Sequence, residues 1–195
     1  MIAGIVLAAG RSRRMGSPKA LLTLDGTTFV ERAVRALRDG GCGTVVVVVG
    51  TDPDAVPEIE ARARRLGAAT AVNPAAESEQ VDSLRVGLRA LLREVSAAVV
   101  TPVDVPGIEA ETVRAMIDAF GRSGFPVVQP FDGERHGHPV LFARHVWPEL
   151  FEARDEGARG VIRAHERERG VVFVPRLPAD VDTPDDYARL LERTA

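Results

Sequence analysis

A chain of 195 residues, 45% hydrophobic and 27% charged with a formal net charge of -3, has the composition of one globular domain able to bury a substantial core. That balance provides no global basic field for nucleic acid, and no apolar run exceeds strand length, so a membrane span is not expected. A single cysteine, Cys42, excludes an internal disulfide and a cysteine-rich zinc site. With no basic leader before a long apolar core, the expectation is a cytoplasmic protein folded as one domain over residues 1–195.

The chain opens with an apolar run, Ile2 to Leu7, that reads as a buried strand and breaks into Ala8, Ala9, Gly10, three arginines (Arg11, Arg13, Arg14), Gly16, Pro18 and Lys19. Small residues let a ligand approach the backbone, so that peptide N–H groups can donate to phosphate oxygens. The arginines and Lys19 add charge for a polyanion, most simply a nucleoside triphosphate. Neither a P-loop nor a dinucleotide fingerprint fits, because the lysine follows Pro18 and Gly10 and Gly16 are too far apart.

Helical spacing of Phe29, Val30, Ala33, Val34 and Leu37 predicts an amphipathic helix after Thr27-Thr28, ended by Gly40-Gly41. The valine run Thr44–Val49 predicts a strand buried on both faces, hence a parallel sheet. A helix over 55–66, a strand at Ala69–Val72, a helix over 81–93 and a strand at Ala97–Val100 continue the alternation. In that third helix Val81, Leu84, Leu88, Leu91 and Leu92 are expected to face inward.

Beyond it the pattern predicts helices near 111–120, 147–153 and 160–168, strands at 127–129, 140–142 and 171–174, and a last helix after Asp182-Thr183-Pro184. Asp132-Gly133 reads as a hairpin turn. The fold class is therefore α/β: a doubly wound, mostly parallel sheet with helices on both faces, Rossmann-like, binding ligands at the carboxyl ends of its strands.

Two carboxylates stand out. Asp104 ends a buried strand, between Val103 and Pro106, and suits a hard cation bridging triphosphate oxygens better than a helix cap. Asp182, in a run from Asp180 to Asp186, serves equally well as a cap, a role Thr183 could also take. Ser83 and Gly87 share one face of the third helix, where a base or ribose, or equally a tight packing contact, would explain the glycine. The histidines at 136, 138, 145 and 165 have no zinc-ligand spacing, and Cys42 is a poor nucleophile candidate.

The pattern L-A-A-G-x-x-x-R-M-G-x-x-K, from Leu7 to Lys19, resembles that of the MobA-like NTP transferases. The resemblance extends in order through S-L-x-x-G at Ser83–Gly87, Thr101–Pro106, G-H-P-V-L-F at Gly137–Phe142, D-x-G-A-R at Asp155–Arg159 and V-D-T-P-D-D at Val181–Asp186. G-H-P-V-L-F and D-x-G-A-R look like the molybdenum cofactor cytidylyltransferase branch, although Arg154 stands where that branch usually has Gly, and Val105 departs from the family's usual residue.

The resemblance implies transfer of CMP from CTP to the phosphate of molybdopterin cofactor, with release of pyrophosphate. It further implies Leu7, Ala8, Ala9, Gly10, Arg14, Lys19, Ser83 and Gly87 around the nucleotide, with Arg14, Lys19 and Asp104 catalytic. Asp104 and Asp182 would hold Mg2+, and Gly137, His138, Pro139 and Arg159 would face the acceptor. A transient contact with a molybdenum hydroxylase is expected on the same ground. The alternatives are a guanylyltransferase or another NTP transferase with a different phosphorylated acceptor, and a non-catalytic cofactor-binding chaperone.

Overall fold

The computed structural model describes residues 1–10, 15–75 and 79–193. In chain order the elements are β1 (Ile2–Ala8), β2 (Thr23–Leu24), β3 (Thr27–Thr28), α1 (Phe29–Asp39), β4 (Thr44–Val49), α2 (Val56–Arg65), β5 (Ala69–Val72), α3 (Gln80–Arg89) and β6 (Ala97–Pro102). They continue with α4 (Ala110–Ser123), β7 (Val127–Phe131), β8 (Val140–Ala143), α5 (Trp147–Glu152), α6 (Gly157–Ala164), β9 (Gly170–Phe173) and α7 (Pro184–Glu192). Seven strands form one sheet in the order β5-β4-β1-β6-β8-β7-β9. Pairing is parallel except along β8, which runs antiparallel to both β6 and β7.

The two-residue period of the strands divides the core into two layers. Val6 and Ala8 of β1, with Val45, Val47 and Val49 of β4, pack with α1, α2 and α4 on one face. Ile5 and Leu7, with Val46 and Val48, pack with α3, α5 and α6 on the other. This two-sided burial is what the valine run predicted. Helix α1 begins with a capping box in which Thr28 and Glu31 exchange hydrogen bonds, as its sequence context favours.

Three features depart from the sequence reading. Helix α3 stops at Arg89 rather than 93, and Leu92 is 63% exposed instead of inward. The Arg144 guanidinium takes the carbonyls of Leu92 and Val95 at 3.2 and 2.9 Å, holding this segment as a turn. The helix expected over 160–168 starts earlier, at Gly157, and ends at Ala164, with a 3-10 turn over Glu166–Glu168 after it. The β2-β3 hairpin was not anticipated; its turn uses Asp25 and Gly26 at φ 52° and 71°. Positive φ at both central positions is the geometry that suits a two-residue hairpin.

Candidate active site

The carboxyl ends of β1, β4 and β6 meet along one edge of the sheet, where the Val103 N–H donates to the Leu7 carbonyl at 3.0 Å. Beside them opens a cleft of about 900 Å³, a volume suited to a nucleotide-sized ligand. Leu7, Ala8, Ala9 and Gly10 form one wall and the Gly50–Pro53 turn with α2 another. Gly50 is required here by space: a Cβ would lie 3.0 Å from the Ala9 carbonyl oxygen. Small residues thus bring two backbone segments together at the point where a parallel sheet collects its ligands.

At one end of the cleft three charged side chains from distant parts of the chain meet. Lys19 Nζ donates to Asp104 Oδ2 at 3.0 Å and to Asp182 Oδ1 at 2.6 Å. Lys19 opens the 3-10 turn Lys19–Leu21 directly after Pro18, which closes with the Leu21 N–H on the Pro18 carbonyl at 2.9 Å. The Asp104 turn is held from α1, whose Arg32 Nε donates to the Pro106 carbonyl at 3.1 Å.

Asp182 is brought to Asp104 by the backbone: the N–H of buried Val181 donates to the Asp104 carbonyl at 2.9 Å. The helix that follows is anchored at its other side, with the Tyr187 hydroxyl on the Thr23 carbonyl at 2.6 Å and its ring edge-on to Phe29. Capping is done by Thr183, which forms the capping box of α7 with Asp186. The Asp182 carboxylate is therefore not spent on the cap, which resolves the ambiguity of its sequence context.

Burial opposes the charge on Lys19, but hydrogen bonds to Asp182 and Asp104 and their negative charges outweigh it, so its pKa lies above the ordinary 10.5. The ammonium is a stand-in for a cation: two carboxylates converge on one positive charge beside the cleft. That donor chemistry fits a hard divalent ion. Among the described residues no three acidic, histidine or cysteine side chains are grouped as a metal cluster. A metal here would take Asp104 and Asp182 from the protein and its other oxygens from ligand or water.

Of the residues expected around the nucleotide, Leu7, Ala8, Ala9, Gly10, Lys19 and Ser83 line the cleft, and so do the two expected metal ligands, Asp104 and Asp182. Ser83 is buried and accepts a hydrogen bond from Asn73 Nδ2 at 3.0 Å, so its hydroxyl is already positioned by a neighbour. Arg14, with Arg11 and Arg13, lies outside the described residues.

Gly87 is a correction. It does not line the cleft: a Cβ there would meet Ile5 Cγ2 at 2.7 Å and Val48 Cγ2 at 3.1 Å, so its smallness serves packing of α3 on the sheet. Gly137 likewise makes room, in this case for Leu177, whose Cδ2 would be 2.8 Å from a Cβ.

The acceptor-side residues are outside the main cleft. His138, in a cis bond to Pro139, lines a small neighbouring cavity with Gly107, Ile108 and Leu177. Burial lowers the pKa of His138; the Asp180 and Asp104 carboxylates oppose this, while the exposed Arg159 adds to it. The three charged groups are thus within electrostatic reach of His138, whose Nδ1 is buried without a hydrogen-bond partner among the described residues.

Asp180 was missed. Burial raises its pKa, and the charge of Asp104 raises it further, while His138 acts against this. The signal was available: with Val181 pointing inward, a period of two puts Asp180 and Asp182 on the same side. The Gly50–Ile59 wall and Gln80, which also line the cleft, carried no sequence motif.

Residues 4–169 match the model of the MobA-like NTP transferase domain. The chain belongs to this family. Among MobA-like relatives, a nicotine blue oxidoreductase of Paenarthrobacter nicotinovorans is 32% identical over 97% of this chain and 96% of its own. A probable molybdenum cofactor guanylyltransferase of Opitutus terrae is 34% identical over 68% of this chain and 62% of its own. The solved structure of Rv0371c from Mycobacterium tuberculosis superposes with a TM-score of 0.86 at 32% identity, covering 98% of both chains. The same protein has been solved in complex with manganese, with a TM-score of 0.81 and 30% identity to this chain over 98% of each. Among the described residues no helix is long and apolar enough to cross a membrane.

Proposed function

We propose that this MobA-like protein is a nucleotidyltransferase that joins CMP from CTP to the terminal phosphate of molybdopterin cofactor and releases pyrophosphate. A phosphate oxygen of the acceptor attacks the α-phosphorus, the bond from that phosphorus to the bridging oxygen breaks, and pyrophosphate leaves with the electron pair. No protein nucleophile takes part. The single observation that carries the reading is the Lys19–Asp104–Asp182 group at the end of a cleft walled by the Leu7–Gly10 backbone.

In this reading the N–H groups of Ala8 to Gly10 hold the triphosphate, Arg14 neutralises its outer phosphates, and Lys19 stabilises charge growing at the α-phosphate. Magnesium bound by Asp104 and Asp182 would supply Lewis-acid neutralisation of phosphate charge. Arg159 is an exposed cation for the acceptor phosphate, and half-buried His138, whose pKa burial lowers, lies beside the surface it meets. The chain then acts as one domain whose first half binds the NTP and whose last third binds the acceptor.

Pyrophosphate release with Mg2+ or Mn2+, comparing CTP, GTP, ATP and UTP with and without molybdenum cofactor, tests this. Release with CTP only when the cofactor is present is expected. Release with GTP would change the product and keep the mechanism; this guanylyl reading is favoured by the Opitutus relative. The relative named as an oxidoreductase, similar over nearly the whole chain, supports a second reading, electron transfer to an organic acceptor. Reduction of nicotine blue by the chain with an added reductant, without NTP, would favour that one.

A further inference from the structure

The Lys19 ammonium lies between the same two carboxylate oxygens that a divalent ion would have to bridge, 3.0 Å from one and 2.6 Å from the other. A hard ion bound to both would sit about 2.0–2.6 Å from each oxygen, which leaves no separate place for an ammonium, and the two positive charges would repel at contact. We propose that Lys19 is an internal counter-cation that keeps free divalent metal out of the Asp104–Asp182 site until a triphosphate arrives to take the ammonium. Metal and nucleotide therefore enter together, and one lysine links the two events.

The surroundings of Lys19 support the exchange. Its side chain is 14% exposed, so moving it to solvent alone would leave partly buried Asp104 and its exposed neighbour Asp182 as two adjacent carboxylates without their cation. Two groups can relieve that state at once: a metal replaces the charge at the carboxylates, and phosphate oxygens in the cleft provide a new partner for the amine. Lys19 lines that cleft together with Ala8, Ala9 and Gly10, so the amine reaches the phosphate side by turning about its own side-chain bonds. The carboxylates do not need to move, because Val181 ties their backbones together.

Exclusion of this kind is a coupling free energy, so metal and triphosphate must raise each other's affinity by the same factor. The proposal rests on the nucleotidyltransferase reading only for the identity of the triphosphate. Its central claim concerns metal binding to the empty protein and is separable from turnover.

The test is Mn2+ binding to the full chain, followed by electron paramagnetic resonance without nucleotide or acceptor. Lys19→Met keeps the length of the side chain and removes its charge; it should bind Mn2+ at least about ten-fold more tightly than wild type, since the carboxylates have lost their partner. The gain should vanish in Lys19→Met combined with Asp104→Asn, and Lys19→Arg should stay as weak as wild type. Equal affinity in Lys19→Met and wild type overturns the proposal, and so does a gain that survives Asp104→Asn. If Lys19→Met does not fold by circular dichroism, Lys19→Gln is used with the same criteria.

A second arm adds the α,β-methylene analogue of CTP. It should tighten Mn2+ binding in both proteins, because phosphate oxygens complete the ion's shell, and by a clearly larger factor in wild type, where the ammonium must also be drawn away; equal tightening in both overturns the coupling. Absent pyrophosphate release with every triphosphate, alongside the expected Mn2+ results, would instead sink the proposed reaction and leave the exclusion standing.

Discussion

β1, β4 and β6 run parallel and are buried on both faces by valine, alanine and isoleucine, whereas β7, β8 and β9 include an antiparallel strand and a polar group built from Gln129, His136 and Arg169. In the first region the chain spends its polar residues at strand ends, where Asp104 and the Leu7–Gly10 segment form the cleft. In the second, polar groups lie within the sheet layer: Arg169 donates to Gln129 Oε1 at 3.2 Å and to His136 Nε2 at 2.8 Å. An apolar support tolerates change at its rim, while a polar support does not. The first region should therefore separate activity from stability cleanly, and the second should mix them.

The sharpest use of that contrast is at Lys19. Lys19→Ala removes a charge-stabilising donor and should lower kcat for pyrophosphate release by about 10²–10³-fold, the range for losing one such group. With Mn2+ present to replace its charge at Asp104 and Asp182, the melting transition should stay close to wild type, because Lys19 belongs to neither core layer. Wild-type turnover in this variant would remove Lys19 from the mechanism.

Gly87→Val reverses the pattern within the same region. The new side chain would press on Ile5 and Val48, starting from a Cβ only 2.7 Å from Ile5 Cγ2. Overpacking of this kind costs about 1–3 kcal/mol, visible as a lower denaturant midpoint. Nucleotide affinity of the folded fraction should be unchanged, and a selective loss of affinity would return Gly87 to the binding site.

A smaller effect is expected where the two regions are tied, at α7. Thr183→Ala breaks the capping box with Asp186 and should cost about 1 kcal/mol. Since Asp182 precedes the cap, KM for the metal–nucleotide should rise as well. Loss of stability without that rise would mean that Val181 alone holds Asp182 in place.

The same contrast governs what the sequence made legible. Thr44–Val49 announced a strand buried on both faces, and Thr27-Thr28 ahead of an apolar face at helical spacing announced the start of α1, because both signals are local. The hairpin at Asp25-Gly26 escaped since strands of two residues carry no period. Asp104 and Asp182 could be chosen as separate carboxylates. Their meeting on Lys19 joins residues 85 and 163 positions apart, and no pattern along the chain records such a contact. Gly87 was a genuine tie between ligand approach and packing, which only the position of Ile5 could break. The polar support of β7 and β9 was invisible, because a half-buried arginine and histidine look in sequence like surface residues.

That support gives the last and smallest effect, a dependence of stability on pH. Burial lowers the pKa of His136 below its ordinary 6.5, and the adjacent Arg169 guanidinium lowers it further, against weaker opposing pulls from the Pro130 backbone and then Glu166. Because Arg169 can only donate, His136 must accept at Nε2 and be neutral in the folded chain. The unfolded chain takes up the proton near 6.5 and the folded chain resists it, so in this window the unfolded state binds more protons. The contribution is fully present above 6.5 and declines as pH falls through that value toward the lowered pKa. His138, whose pKa is also lowered by burial, adds a slope of the same sign. Denaturant midpoints measured from pH 8 to pH 5 should fall with acidification in wild type and fall less in His136→Asn. An identical slope in the two proteins would show that Arg169 does not depend on a neutral His136, and the supposed fragility of the second region would lose its chemical basis.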